Sequence, residues 1–538
     1  MTNKPNIVWI IVDSVRNYIG KDKYSKLEIM QEFAKEGVEF TNTVTSAPST
    51  LMSASAMLSS RPAYYLSRDF GTFKYDKTTF FSLTDILKSN YYHNYTIHHY
   101  PQMRDRMGDV LYSVPQKYWP KRINKYKLWN EEEINSIFFR LVKRNFKEPF
   151  FLFIHYDVPA NNRIASKKIG QVLKKLKEKN LYDNSIIILC SDHGYSDPDR
   201  EKLSLRQLVF EGHDSLTTDD NIMMPLIIKY PGCPKGKKIT EVVSSLDITP
   251  TILSILGIPH KKYGFEGLNL LNYIGGKKIL NRKIRTDTRY CFQPKRLTSL
   301  RSNNHKYVYS HFGPIEQREK FFDLKKDGWE KNNLINNKHK KILNKINEFR
   351  KELELTEKKG IELQKEYLGK KIKRLLKQIK IKRNKILIFG AANPLFVDII
   401  LKNFSKQDIK MDLLIKKKTA RQLKTKSEKV NQIYTKLTYR DFKKRLKDIR
   451  KKHYDLVFIP LVNHLCVGYN PIFKIARKLN SDKIIAVDYN LVLIKEHNMW
   501  LAVFNDLKKV LWSKLLRPLN FGGNLVALVK RILFEKPF

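Results

Sequence analysis

The sequence predicts an α/β protein built on an open, mostly parallel sheet and followed by a smaller Rossmann-like α/β unit. Three observations predict it. Continuous apolar, β-branched runs recur through residues 1–335 and end beside chemically active side chains, amphipathic stretches lie between them, and the alternation restarts after a Lys/Glu-rich interval. The 538-residue length exceeds what one hydrophobic core organises. With 42% hydrophobic and 12% aromatic residues, the chain can bury enough apolar surface to offset its ordering entropy, which excludes wholesale disorder.

Asn6 to Val12 (NIVWIIV) reads as a buried parallel strand that delivers Asp13 to the carboxyl edge of the sheet. Residues 47–58 (APSTLMSASAML) read as a loop entering a helix, which puts the Thr50 hydroxyl at a helix N-terminus, a favourable place for an anion. Core strands follow at 149–155 (PFFLFIH), at 185–189 running into Cys190-Ser191-Asp192-His193, and at 225–229 (PLIIK). Ile164 to Asn180 is amphipathic at helical spacing, and in such a fold ligands belong beyond the strand C-termini. Residues 336–384 are Lys/Glu-rich with apolar residues at helical spacing and read as a helical linker. Strands at 385–390, 411–415, 454–460 and 483–488 give a Rossmann-like unit over 385–495. Its first turn lacks GxGxxG spacing, so scaffolding stands against nucleotide binding there. Residues 496–538 pattern as basic amphipathic helices, suited either to an anionic membrane surface or to core packing with a solvated basic face.

A net charge of +49 concentrates anions near a protein, but lysine is spread along this whole chain and makes no local patch. Nucleic acid is therefore not an expected partner. The four cysteines, Cys190, Cys233, Cys291 and Cys466, show neither CxxC pairing nor dense spacing, which fits a reducing compartment. The opening apolar run is too short for a signal peptide or a span, and no stretch reaches about 18 uninterrupted apolar residues. A cytoplasmic protein, soluble or peripheral at the inner membrane face, is expected.

Hydrolysing a phosphate or sulfate ester calls for an in-line nucleophile and for positive charge on the developing anion, with carboxylates and imidazoles as metal ligands. Asp13 at one strand end and Asp192-His193 at another would converge on a single sheet edge. Singly, each has a plain structural reading: a helix cap for Asp13, a tight turn for Ser-Asp-His-Gly. Their convergence with Thr50 favours a site.

NIVWIIVDSVR (6–16), FAKEGVEFTNTVTSAPSTLMSASAMLSSRP (33–62), SDHG (191–194), MMPLIIKYPG (223–232), SSLDITPTILSILGIP (244–259) and FFDLKKDGWEKNNL (321–334) resemble, in order, the sulfatase family of the alkaline phosphatase superfamily. The resemblance covers about residues 5–335 and implies an alkaline-phosphatase-like domain holding one divalent metal ion (Mn, Ca, Mg or Zn) through Asp13, Thr50, Asp192 and His193. Sulfatases convert a Cys or Ser in a C/S-x-P-x-R signature to formylglycine. Aligning Ser53 with the signature's serine puts Thr50 at the nucleophile position, with Met52 and Ala54 replacing proline and arginine. No formylglycine is expected, and threonine here resembles the phosphoester branch that includes lipoteichoic acid synthases and phosphoethanolamine transferases.

His155 follows the central strand, with Ala160 where a substrate histidine is common, and His213 matches a position where relatives hold a histidine near the metal or the transferred group. His213 or His155 could protonate the leaving group. Arg16 either contacts an anionic substrate or pairs with a carboxylate. The resemblance implies a metal-dependent hydrolase or transferase acting through Thr50 on a phosphate or sulfate ester, on a surface glycan or lipid intermediate. A sulfuric ester hydrolase without formylglycine, or a degenerate glycan-binding module, are the alternatives.

Overall fold

The computed structural model describes residues 4–19, 22–65, 81–98, 131–144, 146–157, 161–197, 215–277, 281–288, 296–379, 385–390, 392, 394–405, 409–415, 420–424, 428–434, 449–461, 470–487 and 493–494. His213 and the 496–538 tail lie outside these residues. The chain divides into two compact units, the first reaching Glu357 and the second taking in residues 358–538. The first unit thus runs past residue 335.

The main sheet of the first unit holds β1 (Asn6–Val12), β2 (Val38–Val44), β3 (His93–His98), β4 (Phe150–Tyr156), β5 (Ser185–Ser191), β6 (Met223–Lys229), β7 (Lys237–Ile239) and β8 (Val243–Ser244). Its order is β3-β4-β1-β5-β6-β2-β7, with β8 also on β2. β3, β4, β1 and β5 are mutually parallel, while β6 runs antiparallel to both β5 and β2. The sheet is therefore mixed and mostly parallel, as the sequence predicts.

Strand alternation explains why the central runs are apolar throughout. Ile7, Trp9 and Ile11 enter one core with Phe151, Phe153, Ile186 and Ile188. Val8, Ile10 and Val12 enter the other with Leu152, Ile154, Ile187 and Leu189. Both faces of β1 are thus dry, and each buried Val, Ile or Leu contributes on the order of 1.5–3 kcal/mol. The first core is closed by α2 (Thr50–Ser59) and α3 (Leu83–Ser89). The second is closed by α1 (Glu28–Ala34), α4 (Glu131–Lys143) and α5 (Asn162–Glu178). The Asn161 side chain caps α5 by accepting from the Arg163 and Ile164 amides.

A second sheet, absent from the sequence reading, orders as β12-β11-β10-β9 and is wholly antiparallel. Its strands are β9 (Ile284–Asp287), β10 (Leu297–Arg301), β11 (His305–Ser310) and β12 (Glu319–Asp323). The start of the 40-residue helix Lys340–Ile379 packs Ile346, Phe349 and Leu353 on Leu300, Tyr307 and Phe321.

The second unit carries β13 (Lys385–Gly390), β14 (Lys410–Ile415), β15 (Val430–Tyr434), β16 (Leu456–Pro460), β17 (Ile484–Val487) and β18 (Leu493–Ile494). Their order is β15-β14-β13-β16-β17-β18, parallel save for β18. The first five reproduce the 3-2-1-4-5 order of a Rossmann-like sheet. Among the described residues no helix is long and apolar enough to cross a membrane.

Candidate active site

Parallel strands deliver chemistry to one edge. Asp13 follows β1, Asp192 follows β5, and His155 and His98 are paired positions near the ends of β4 and β3. Asp13, Asp192 and His193, all buried, hold ligand atoms within 4.8 Å of one another. Thr50 at the start of α2 completes the group: its Oγ1 donates to Asp13 Oδ2 at 3.4 Å and stands 3.3 Å from His193 Nε2. Four residues named from the sequence, Asp13, Thr50, Asp192 and His193, therefore meet.

The local backbone is built to hold them. Ser14 adopts a left-handed φ of 61°. From there its amide donates to Asp192 Oδ1 at 3.1 Å and its hydroxyl to Asp13 Oδ1 at 2.6 Å. The Thr45 and Ser53 hydroxyls both reach the Asp192 carbonyl, at 2.8 and 2.7 Å. The Ser191 hydroxyl accepts from the Val15 amide and lies 2.7 Å from the Val12 and His193 carbonyls, lacing β1 to β5. Gly194 admits no side chain, because a Cβ there would meet the Asp220 carbonyl oxygen at 2.0 Å.

His193 Nδ1 lies 2.7 Å from the Gly194 carbonyl, an oxygen that can only accept. Nδ1 therefore carries a proton, and Nε2 is the nitrogen that faces the carboxylates, the one a metal-ligating imidazole would use once it is unprotonated. Asp192 Oδ2 is fully buried and receives no hydrogen bond of ordinary geometry; His193 Nε2 and His155 Nε2 stand 3.4 and 3.7 Å away. A buried carboxylate oxygen so placed suits a cation. Burial pushes the Asp13 carboxyl above its ordinary range, with the Asp192 charge adding to the rise. Burial acts the same way on Asp192, but His193, His155 and the Ser14 amide outweigh it and hold that carboxylate well below its ordinary range. Two carboxylates and an imidazole lone pair fit a hard or borderline divalent ion.

His155 is fully buried, stacked on His98 at 4.4 Å and 5°, with Nε2 3.7 Å from Asp192 Oδ2. Arg16 is also fully buried. Its guanidinium pairs with Asp22 and stands 3.4 Å from Asp197 Oδ2. Sequence reasoning did not single out Thr45, Ser53, Ser191 and Gly194 as supports, since their contacts arise from tertiary approach.

The sulfatase family profile matches residues 5–159 and 161–258, and the profile for the C-terminal part of N-sulphoglucosamine sulphohydrolase matches residues 214–359. The first unit is thus similar to the sulfatase family. Lipoteichoic acid synthase 2 of Bacillus subtilis (strain 168) is 28% identical to this chain over 286 residues, 48% of the chain and 41% of that protein. Choline-sulfatase of Rhizobium meliloti (strain 1021) is 29% identical over 181 residues, 33% of the chain and 32% of that protein. The matches thus span less than half of either relative. A solved 2-O GAG sulfatase superposes with a TM-score of 0.52 at 16% identity, covering 66% of this chain and 93% of its own. That likeness establishes the alkaline-phosphatase-like fold of the sulfatase domain.

Proposed function

We propose that the sulfatase domain is a metal-dependent ester hydrolase or transferase working through Thr50 on a phosphate ester borne by a glycan or lipid intermediate. The single observation that carries this reading is the Thr50 hydroxyl at the head of α2, within 3.4 Å of both Asp13 and His193. Threonine cannot follow the formylglycine route, whereas its hydroxyl can attack phosphorus directly. The relatives support both ester types, one being a lipoteichoic acid synthase and another a choline-sulfatase.

Asp13, Asp192, His193 and Thr50 would hold the ion. When bound, a divalent metal supplies positive charge that lowers the hydroxyl's pKa and stabilises the developing anion. Thr50 Oγ1 donates to Asp13 Oδ2 and stands 3.3 Å from His193 Nε2, so the Asp13 carboxylate is the acceptor nearest its proton. The Ser49 side chain makes no capping hydrogen bond, and the first-turn amides of α2 therefore turn their dipole toward an incoming anion. As the Thr50 Oγ–phosphorus bond forms, the ester P–O bond breaks and its electron pair leaves on the alcohol oxygen, which takes up a proton. Water or an acceptor hydroxyl then attacks phosphorus and restores Thr50. His155 orients Asp192 in this scheme, and His213 is the candidate donor to the leaving oxygen.

Turnover of p-nitrophenyl sulfate, phosphate monoester and phosphate diester, each with manganese, zinc or calcium, tests this reading. Wild type should show metal-dependent turnover, and Thr50→Ala should lose at least about a thousandfold in kcat while Asp13, Asp192 and His193 still bind the metal, more weakly. Preference for sulfate selects the second reading, a sulfuric ester hydrolase without formylglycine. Turnover that survives Thr50→Ala defeats the nucleophile assignment.

A further inference from the structure

Outside the Thr50 site, the second unit gathers another set of ligand-type side chains. His453, Asp455 and Asp482 each offer one ligand atom, and these atoms lie within 4.8 Å of one another. Backbone register brings them together. Tyr454 pairs with Ser481 as a parallel bridge: its amide donates to the Asn480 carbonyl and its carbonyl accepts from the Asp482 amide, both at 3.0 Å. Side chains alternate along such extended segments. Lys452 and Tyr454 accordingly turn to Asp412, at 3.1 and 2.6 Å. His453 and Asp455 take the opposite side, and the parallel bridge sets Asn480 and Asp482 beside them.

The three groups are positioned in advance. Asp455 is buried, and its Oδ2 accepts from the Lys385 amide at 2.8 Å, which ties it to the first residue of β13. His453 Nδ1 lies 3.1 Å from Asn480 Oδ1, an oxygen that can only accept, so Nδ1 carries a proton. Nε2 stands 3.1 Å from Asp482 Oδ1. The imidazole is thus oriented from behind by an amide oxygen while its other nitrogen faces a carboxylate, as outer partners orient a metal-ligating histidine. A simple His453–Asp482 ion pair would account for one carboxylate and leave Asp455 over. The Lys452 ammonium is engaged by Asp412, and the Lys385 ammonium lies 5.6 Å from the Tyr454 ring centroid, so both stand with Tyr454.

We infer that His453, Asp455 and Asp482 bind a divalent ion of the borderline class, zinc or cobalt. One imidazole nitrogen with two carboxylate oxygens is a donor set such ions take, with water completing the shell. All three ligands precede strands, since β16 starts at Leu456 and β17 at Ile484. The site therefore lies at the amino edge of the sheet, opposite the carboxyl edge where α/β sheets take their ligands. Its role is structural: the ion pins the entry of β16 to that of β17 and, through the Asp455 contact with the Lys385 amide, to β13. Asn480 is a positioning residue here.

The test uses the full chain stripped of metal and titrated with zinc by calorimetry, in a background carrying Asp13→Asn and Asp192→Asn so that the first unit's ligands are silenced. Zinc should still bind, and His453→Gln and Asp482→Asn should each weaken it at least about tenfold, with Asn480→Ala also costing about tenfold. Hydrogen exchange on the chain with Asp13 and Asp192 intact gives a second readout that does not depend on that background. Zinc should slow exchange of the Tyr454 and Asp482 amides, and His453→Gln should abolish the slowing. Zinc binding and amide protection that persist unchanged in both His453→Gln and Asp482→Asn overturn the site. Absence of zinc binding in the silenced background, together with no zinc-dependent protection at Tyr454 and Asp482, also overturns it and leaves an ordinary ion pair. Neither result bears on the Thr50 reading, which stands or falls on ester turnover.

Discussion

Among single residues, Asp13 and Asp192 set the electrical character of the site. Asp13 is held above its ordinary range by burial and by the Asp192 charge. A carboxyl whose folded-state pKa is raised favours its proton in the fold, so ionising it costs stability once the pH exceeds that raised value, and the cost disappears in acid. A bound divalent cation offsets this cost. Manganese should therefore stabilise the fold near neutral pH by about 2.7 kcal/mol at a hundredfold excess over Kd, seen as a higher melting temperature. The gain should shrink as the pH falls and protons displace the ion; calorimetric scans with and without metal across pH 4–8 check the sign. Gly194 is the second critical residue. With the Asp220 carbonyl oxygen 2.0 Å from where a Cβ would stand, Gly194→Ala must displace the backbone that carries His193. A loss of about 2 kcal/mol or more is expected, with weaker metal binding, measured by denaturant unfolding and metal titration. The four residues that meet were legible in the sequence because each ends a conspicuous apolar run or opens a helix. The stacking of Tyr24 on Tyr195 was not, since nothing local marks two tyrosines as neighbours across 171 residues, the difference 195 − 24.

Among elements, legibility followed dryness. β1, β4 and β5 are apolar on both faces and stand out as uninterrupted runs. β9 to β12 do not, because their buried positions include Arg285, Asp287, Arg301 and Lys306, whose burial is offset by partners within the sheet and by Asp219 and Glu357 far off in sequence. Asp287 accepts from Arg285, Arg296 and Thr298, while Glu357 takes both arginines. Burial opposes the Glu357 charge, but the arginines win and hold its carboxyl at about 2. This depressed pKa gives stability that is present above the ordinary glutamate range and lost as the pH falls toward 2. Glu357→Gln should therefore destabilise the unit by about 3 kcal/mol near neutral pH. Cutting the chain at 335 should do more harm than cutting after 360, because it also removes Ile346, Phe349 and Leu353 from their core. Thermal melts of the two truncations decide this.

For the whole molecule, the excess of +49 gives long-range attraction for anions without marking any one patch. Its effect belongs to association and is screened over about 8–10 Å at 0.1–0.15 M salt. KM for a polyanionic glycan ester should rise with ionic strength more steeply than KM for methyl phosphate, and steady-state kinetics from 50 to 300 mM sodium chloride would show it. The topology carries a different consequence. β1 leads into Asp13, yet both its sheet neighbours, β4 and β5, lie far along the chain, pairing Ile7 with Phe151 and with Ile186. Asp13 and Thr50 leave the ribosome long before Asp192 and His193. During synthesis β1 must stay unpaired, an exposed apolar strand, until β4 emerges, its second edge stays open until β5 follows, and the ion-binding group cannot exist before then. Metal capture is thus a late event in the life of each new chain and reports that its most distant contacts have closed.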